Sequence, residues 1–374
     1  MKDDGGQLDR RIGNRQSTDI LMLFLMVQFG CILLAYISFP PSSLVQIASL
    51  QGQQEVSSGG ASFLGYIALS FVVIALLFVL VFKSYKGNLL FKALETLAIL
   101  VGSFEFFFLI IFSFVSSYYL FWLAVAALLS VGMVKVKNMY RASKNAVAMI
   151  SSIGYGTLTG ALFAISFPPG FIVVYLFFAI AAVYDYIAVF VTKHMIALGR
   201  EAQKLDLALM VGSTDVEMMP ESSFKKREIK EIKKRIAESK MRNPKMFDMV
   251  KKGNVPIVSQ IYLGTGDLAF PSMLAVAAYI TFDSIFLAVA IALGAGLGII
   301  ATMELLKKYK VGLPALPPLF AFINLALFIV FLLPGFFDMI RAFIFLAVFA
   351  IAVIVLPLTL KRSAAQNMER GKSQ

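Results

Sequence analysis

The chain is written in long apolar runs separated by short charged stretches. Ten such runs stand at 19–39, 62–82, 94–115, 118–134, 146–166, 170–192, 256–281, 283–303, 314–333 and 337–360. Most come close to the ~20 residues that a helix needs to cross hydrocarbon. Backbone polar groups in lipid must be satisfied within the chain, so such runs have to be helical. A membrane barrel would need alternating segments of about 10 residues, and no such alternation is present. Of the 374 residues, 59% are hydrophobic, against about 45–50% apolar in ordinary globular domains. Mean hydropathy is +0.82. The fold class is therefore an all-α, polytopic membrane protein. The first run follows Arg10, Arg11 and Arg15 and exceeds the roughly 7–15 residue core of a cleaved leader, so it reads as an uncleaved anchor. The single cysteine, Cys31, falls inside it and has no intramolecular disulfide partner.

Charge placement orients the spans. A net charge of +12 suggests nucleic acid until the charges are mapped onto the connections. Of 34 Lys and Arg residues, 33 fall at the N-terminus or in 83–92, 135–144, 193–252, 307–310 and 361–372, which a ten-span arrangement puts on one side. The opposite connections carry none, and Arg341 is the exception. The positive-inside rule makes the basic side cytoplasmic, both termini included, and the margin survives removal of the long 193–255 loop. The chain therefore divides into six spans over 1–192, a cytoplasmic basic loop over 193–255, four spans over 256–360 and a cytoplasmic tail over 361–374. Within the loop, 224–241 carries Glu and Lys at helical spacings, with Ile229, Ile232 and Ile236 on one face. That pattern predicts an amphipathic helix on the membrane surface or on the bundle. The basic loop can also act as a plain solvated linker drawn to anionic lipid. Nothing in this charge pattern calls for nucleic acid.

Two carboxylates sit inside apolar runs. A charged Asp at the bilayer centre costs about 2.5–3.5 kcal/mol on the insertion scale, so intramembrane acids are rare and usually functional. Asp185 follows Tyr184 in the sixth span, eight residues before Lys193, or roughly 12 Å deep at helical rise. Asp267 closes Gly264-Thr265-Gly266-Asp267. With Pro256 near the first helical position of the seventh span, Asp267 is predicted roughly 16 Å in. Consecutive spans are commonly neighbours, so both acids are expected at similar depth in the cytoplasmic half. Gly264 and Asp267 would then share a helix face, and Gly266 would leave room for a substrate backbone. Pro271 would weaken the helix at the acid, since it cannot donate to the Asp267 carbonyl. A third element, Pro314-Ala315-Leu316 followed by Pro317 and Pro318, lies at the inner end of the ninth span. Its prolines predict non-helical backbone, tolerated at that depth only against protein or a water-filled cavity.

Tyr184-Asp185, Gly264-Thr265-Gly266-Asp267 and Pro314-Ala315-Leu316, in that order and on spans six, seven and nine, resemble the YD, GxGD and PAL motifs of the presenilin and signal peptide peptidase family. The long hydrophilic loop between spans six and seven fits as well. The resemblance covers spans one to nine and implies a presenilin-like nine-helix bundle. A tenth C-terminal helix is extra to that plan. Position 265 is Thr where the family commonly has Leu or Phe, next to the catalytic acid, which bears on substrate preference. The orientation is presenilin-like and opposite to that of signal peptide peptidase. The chain is similar to the microbial, archaeal-type homologues, which implies residence in a microbial plasma membrane.

The resemblance implies an intramembrane aspartyl endopeptidase that cuts transmembrane helical substrates, without metal or other cofactor. Asp185 and Asp267 would be the catalytic pair. Like charges a few Å apart in a poorly solvated site share one proton, so one acid activates water while the other polarises the scissile carbonyl. Tyr184, Gly264, Thr265, Gly266, Pro314, Ala315 and Leu316 would support the site and receive an unwound stretch of substrate, a form of strand addition. Oligomeric state is left open. The competing class is a transporter that uses the buried acids as a proton or ion relay, but no inverted repeat supports it. A prepilin-peptidase type would commonly carry Lys two residues after the second acid, where this chain has Ala269. A purely structural polar pair is the remaining alternative. Glu105, within the third span, is expected to pair with a neighbouring polar group. Asn324 is expected to bond between helices, and His194 to sit at the inner boundary. Gly294-x-Gly296-x-Gly298 and Gly156-x-x-x-Gly160 read as small-residue helix contacts rather than nucleotide loops.

Overall fold

The structure, a computed structural model, describes residues 14–41, 88–114, 118–140, 143–166, 170–192, 207–208, 210–220, 254–309 and 313–332. Among these are eight helices: α1 (Asn14–Ser38), α2 (Asn88–Phe114), α3 (Tyr119–Met139), α4 (Lys144–Ser166), α5 (Gly170–Tyr186), α6 (Thr265–Phe282), α7 (Ile285–Tyr309) and α8 (Leu316–Leu332). Seven stretches are long and apolar enough to cross a membrane, and α8 supplies a shorter one, Leu316–Val330. The runs at 62–82 and 337–360, the segment 224–241 and His194 lie outside the described residues. The fourth span is longer than its apolar core suggests, because α3 continues through Lys135 and Lys137 to Met139.

Small residues set the helix contacts. Lipid offers no hydrophobic drive between helices, so close backbone approach and side-chain hydrogen bonds do that work. Gly154 of α4 lies against the Gly102 carbonyl of α2 so closely that a Cβ would collide with it. Ser103 and Ser151 share a 3.1 Å hydrogen bond beside that crossing, and the Tyr155 hydroxyl donates to the Ala98 carbonyl at 3.0 Å. The two glycine motifs behave as helix-contact surfaces: Gly156 and Gly160 face Ser272 and Met273 of α6, and Gly294 and Gly298 face α8. Asn324, fully buried, accepts from the Tyr175 hydroxyl at 2.6 Å and so ties α8 to α5. Glu105 departs from expectation: its Oε2 is buried with no hydrogen-bond partner among the described residues. Cys31 is a free, buried thiol.

The chain forms two compact units. One takes in residues 1–20 and 212–262, the other 21–211 and 263–374. The first holds most of a two-stranded sheet, β1 (Met210–Pro220) paired with β2 (Asn254–Gly264). Within it the Ser213 hydroxyl donates to the Asp19 carboxylate at 2.9 Å. The second unit holds the helical bundle.

The sheet corrects the sequence reading at one place that matters. The seventh span does not begin at Pro256: residues 254–264 are strand, and the helix starts at Thr265. The run Val255, Ile257, Val258, Ile261, Tyr262 is rich in β-branched and aromatic side chains, which fit a pleated surface. Burial then alternates at the strand end, with Ile261 and Leu263 buried and Tyr262 between them more open, the period of a strand. Asp267 is thus the third residue of its helix rather than roughly 16 Å inside one, and Gly264 is not on a helix face at all.

Candidate active site

The site is assembled from one helix end and two helix beginnings. α5 brings Asp185. Its buried residues Phe171, Val174, Phe178, Ala181, Ala182 and Asp185 recur at helical spacing, while Ile172, Leu176, Ile180, Val183 and Ile187 form the exposed face. The acid therefore belongs to the stripe that faces protein, at 9% exposure. Beyond it the helix widens to a π-helical turn over Ile187–Val191, closed by the Thr192 N–H on the Ile187 carbonyl at 3.0 Å. Such turns recur where helices carry functional groups. Tyr184 is one helical step from Asp185 and half-buried.

Asp267 stands at the start of α6. Gly264 caps the helix in extended conformation (φ −66°, ψ 144°), and Thr265, Gly266 and Asp267 make the first turn. The Gly264 backbone N–H donates to the Asp267 carboxylate. This is the return half of a capping box, in which the third helical side chain reaches back to the cap N–H. A Cβ on Gly264 would lie 3.3 Å from Asp267 Oδ2, so the absent side chain makes room for the carboxylate. Gly266 is exposed and faces open space, Phe270 being the nearest atom at 4.0 Å. Pro271 does not break the helix. The adjacent Leu268 carbonyl accepts from the buried Gln28 amide of α1 at 2.9 Å and from the Ser272 hydroxyl at 2.9 Å.

The third wall is the start of α8. Leu313 and Pro314 are non-helical and Ala315 is a bend, as the prolines predict, but the helix begins directly at Leu316 and includes Pro317 and Pro318. Proline suits a first turn, where its missing N–H would have no intrahelical acceptor. The donors at this end can be traced completely. The Leu316 N–H donates to Asp185 Oδ2 at 3.1 Å, the two prolines have none, and the Leu319 N–H goes to the Ala315 carbonyl at 3.3 Å. The Ala315 N–H also donates to Asp185. Pro314, Ala315 and Leu316 are all buried.

The two carboxylates are close enough to act on each other electrostatically. An aromatic cluster joins the three carrying helices. Phe178 of α5 packs on Phe270 of α6 with ring centres 6.0 Å apart and on Phe320 of α8 at 5.4 Å. Phe177 adds a second contact to Phe270 at 5.5 Å. Sequence reasoning brought the nine motif residues to one place but missed this cluster and Gln28. The aromatic spacing gave a signal: Phe178 is seven residues before Asp185, Phe270 three after Asp267, and Phe320 four after Leu316, each one or two turns from its site residue on the same helix face.

Two carboxylates, one at a helix end and one at a helix beginning, each held by backbone N–H groups, form an arrangement able to activate water against a carbonyl. A comparison with curated proteins gives no match. Two solved structures, described as a presenilin family intramembrane aspartate protease in C222 and P2 space groups, are similar over 83% of this chain and 95% of theirs. Their identities are 16% and 18%, and both TM-scores are 0.46. The sequence profile described as "Signal-peptide peptidase, presenilin aspartyl protease" matches residues 21–336. With that match extending over most of its length, the chain belongs to the signal-peptide peptidase and presenilin family of aspartyl proteases.

Proposed function

We propose that this intramembrane aspartyl protease hydrolyses peptide bonds within transmembrane helices of its substrates, with Asp185 and Asp267 as the catalytic pair. The observation that carries the assignment is the convergence of the two acids from separate helices, Asp185 on the amides of Ala315 and Leu316 and Asp267 on the amide of Gly264. In the working form the pair holds one proton. The ionised carboxylate takes a proton from water as it attacks the scissile carbon, and the protonated one donates a hydrogen bond to the carbonyl oxygen. The proton belongs to the pair rather than to either residue.

A substrate helix must unwind to present its peptide bond. Gly266, with open space above it, and the non-helical stretch at Pro314 and Ala315 suit an extended segment. Thr265, in the first turn beside Asp267, and Tyr184, beside Asp185, would shape the ends of that segment. The basic connections, the N-terminus, the 193–255 loop and the tail face the cytoplasm of a microbial cell, with the bundle in its plasma membrane.

The deciding experiment is cleavage of a transmembrane test peptide by purified protein in detergent or liposomes. Asp185→Asn and Asp267→Asn are each expected to abolish it. Retained turnover in either variant would remove that residue from the pair.

A further inference from the structure

Glu95 is a buried acid outside the dyad. It lies near the start of α2 at 2% exposure. Its Oε2 is 2.6 Å from Lys137 Nζ of α3, and its Oε1 accepts from the Ala208 backbone N–H. Ala208 is in the long connection between α5 and α6, which on sequence grounds is a solvated basic loop with no reason to bury anything. Yet Leu207 and Ala208 are 6% and 1% exposed. Ala208 packs with Ile99 of α2 and Val147 of α4, and Met133 and Val134 of α3 close over them. A backbone N–H on a buried, ion-paired carboxylate is a charge-assisted bond, the stronger class. Lys137 could hold Glu95 without Ala208. The added bond to a loop amide is what a simple helix-to-helix ion pair does not need.

Chain order gives this bond its consequence. Two residues after Ala208, β1 begins at Met210; β1 pairs with β2; and β2 ends at Gly264, whose N–H holds Asp267. We propose that Glu95 is a positioning residue for catalysis: by fixing Ala208 it sets where β1 starts, and through the β1–β2 pairing it sets the approach of the strand that carries Gly264 to Asp267. The proposal rests on the reading of Asp267 as a catalytic acid.

The test compares two charge-neutral double variants of the full chain. Glu95→Gln with Lys137→Gln keeps an oxygen for the Ala208 N–H. Glu95→Met with Lys137→Met keeps the volume but offers no acceptor, and replacing a buried ion pair by apolar groups of similar size is commonly tolerated by the fold. Turnover is measured on the transmembrane test peptide and normalised to sites titrated with a tight-binding transition-state analogue. Loss of one charge-assisted bond predicts that the methionine pair loses about tenfold in kcat per titrated site, with KM within about threefold, while the glutamine pair stays within about twofold of wild type. Amide hydrogen exchange at Val211 is expected to quicken about tenfold in the methionine pair alone. A merely structural role would lower the number of titrated sites and leave turnover per site unchanged. Equal behaviour of the two doubles, in rate or in exchange, overturns the proposal. Asp267→Asn runs beside them: if it cleaves like wild type, the dyad reading fails, and the exchange comparison still decides whether Glu95 orders β1.

Discussion

Asp185 sits near the end of one helix and is held by the start of another, so its orientation depends on backbone donors that mutation can remove singly. Leu316→Pro deletes the N–H that reaches Oδ2 at a first-turn position where proline is tolerated. A hydrogen bond to a charged group contributes about 1.5–3 kcal/mol, so cleavage is expected to fall roughly 10- to 100-fold. Leu316→Ala keeps the N–H and is the control for lost side-chain packing; equal loss in both would mean that the donor is irrelevant. At Gly264 the backbone angles suit alanine, but its Cβ would meet the Asp267 carboxylate at 3.3 Å. Gly264→Ala should therefore leave the melting temperature nearly unchanged and reduce kcat. Because the working pair holds one proton, cleavage against pH should be bell-shaped, failing when both acids are protonated and when both are ionised. A rate flat from about pH 4 to 9 would count against the pair. These residues were singled out in the sequence by the order of their motifs and the family resemblance those motifs carry. Their backbone setting was not legible there, because the change from strand to helix falls inside Gly264-Thr265-Gly266-Asp267, where both conformations are apolar on either side.

At the scale of elements, aromatic packing joins the three helices in addition to the bond between Asp185 and α8. Phe178 touches both Phe270 and Phe320. Aromatic pairs add about 0.5–1.5 kcal/mol each beyond area burial, so Phe178→Ala should cost about 1–3 kcal/mol in these two contacts. The measurement is the melting temperature in detergent together with kcat, and both are expected to fall. The α2–α4 crossing is less forgiving of added volume. Gly154→Ala would drive a Cβ into the Gly102 carbonyl, an overpacking cost of about 1–3 kcal/mol, seen as a lower melting temperature. Small-residue spacing made the contacts at Gly156, Gly160, Gly294 and Gly298 readable in advance. An isolated acid in an apolar helix says nothing about which neighbour faces it, and at Glu105 the Oε2 finds no hydrogen-bond partner among the described residues.

At the scale of the whole molecule, the length and spacing of the apolar runs pointed to a helical membrane protein, because lipid leaves a chain few alternatives. The same apolar signal hid the sheet. Residues 254–264 are mostly apolar and run without a break into the helix they precede, and hydropathy alone does not separate a strand from the span it runs into. The buried stretch at Leu207 and Ala208 was equally hidden, since two short residues in a basic loop have no period. Glu95 and Lys137 did carry a hint: opposite charges near the adjoining ends of neighbouring spans. The cytoplasmic orientation can be tested simply, because Cys31→Ser removes the only thiol. Cysteines introduced at positions 50 and 225 should then react with membrane-impermeant maleimide from opposite sides of intact cells, position 50 from outside and position 225 only after lysis. The reverse pattern would invert the topology.

The beginning of α8 leaves no spare donor. Ala315 and Leu316 present their amides to Asp185, and the next two residues are prolines. Were α8 to slip by one residue toward its own start, Pro317 would stand where the Leu316 N–H now reaches Asp185, and Leu316 could only take the place of Ala315, leaving the acid one amide of its two. The helix can therefore give the acid both amides in only one setting. A ligand that nudged α8 by a single residue would slow the enzyme from a distance, without touching either aspartate.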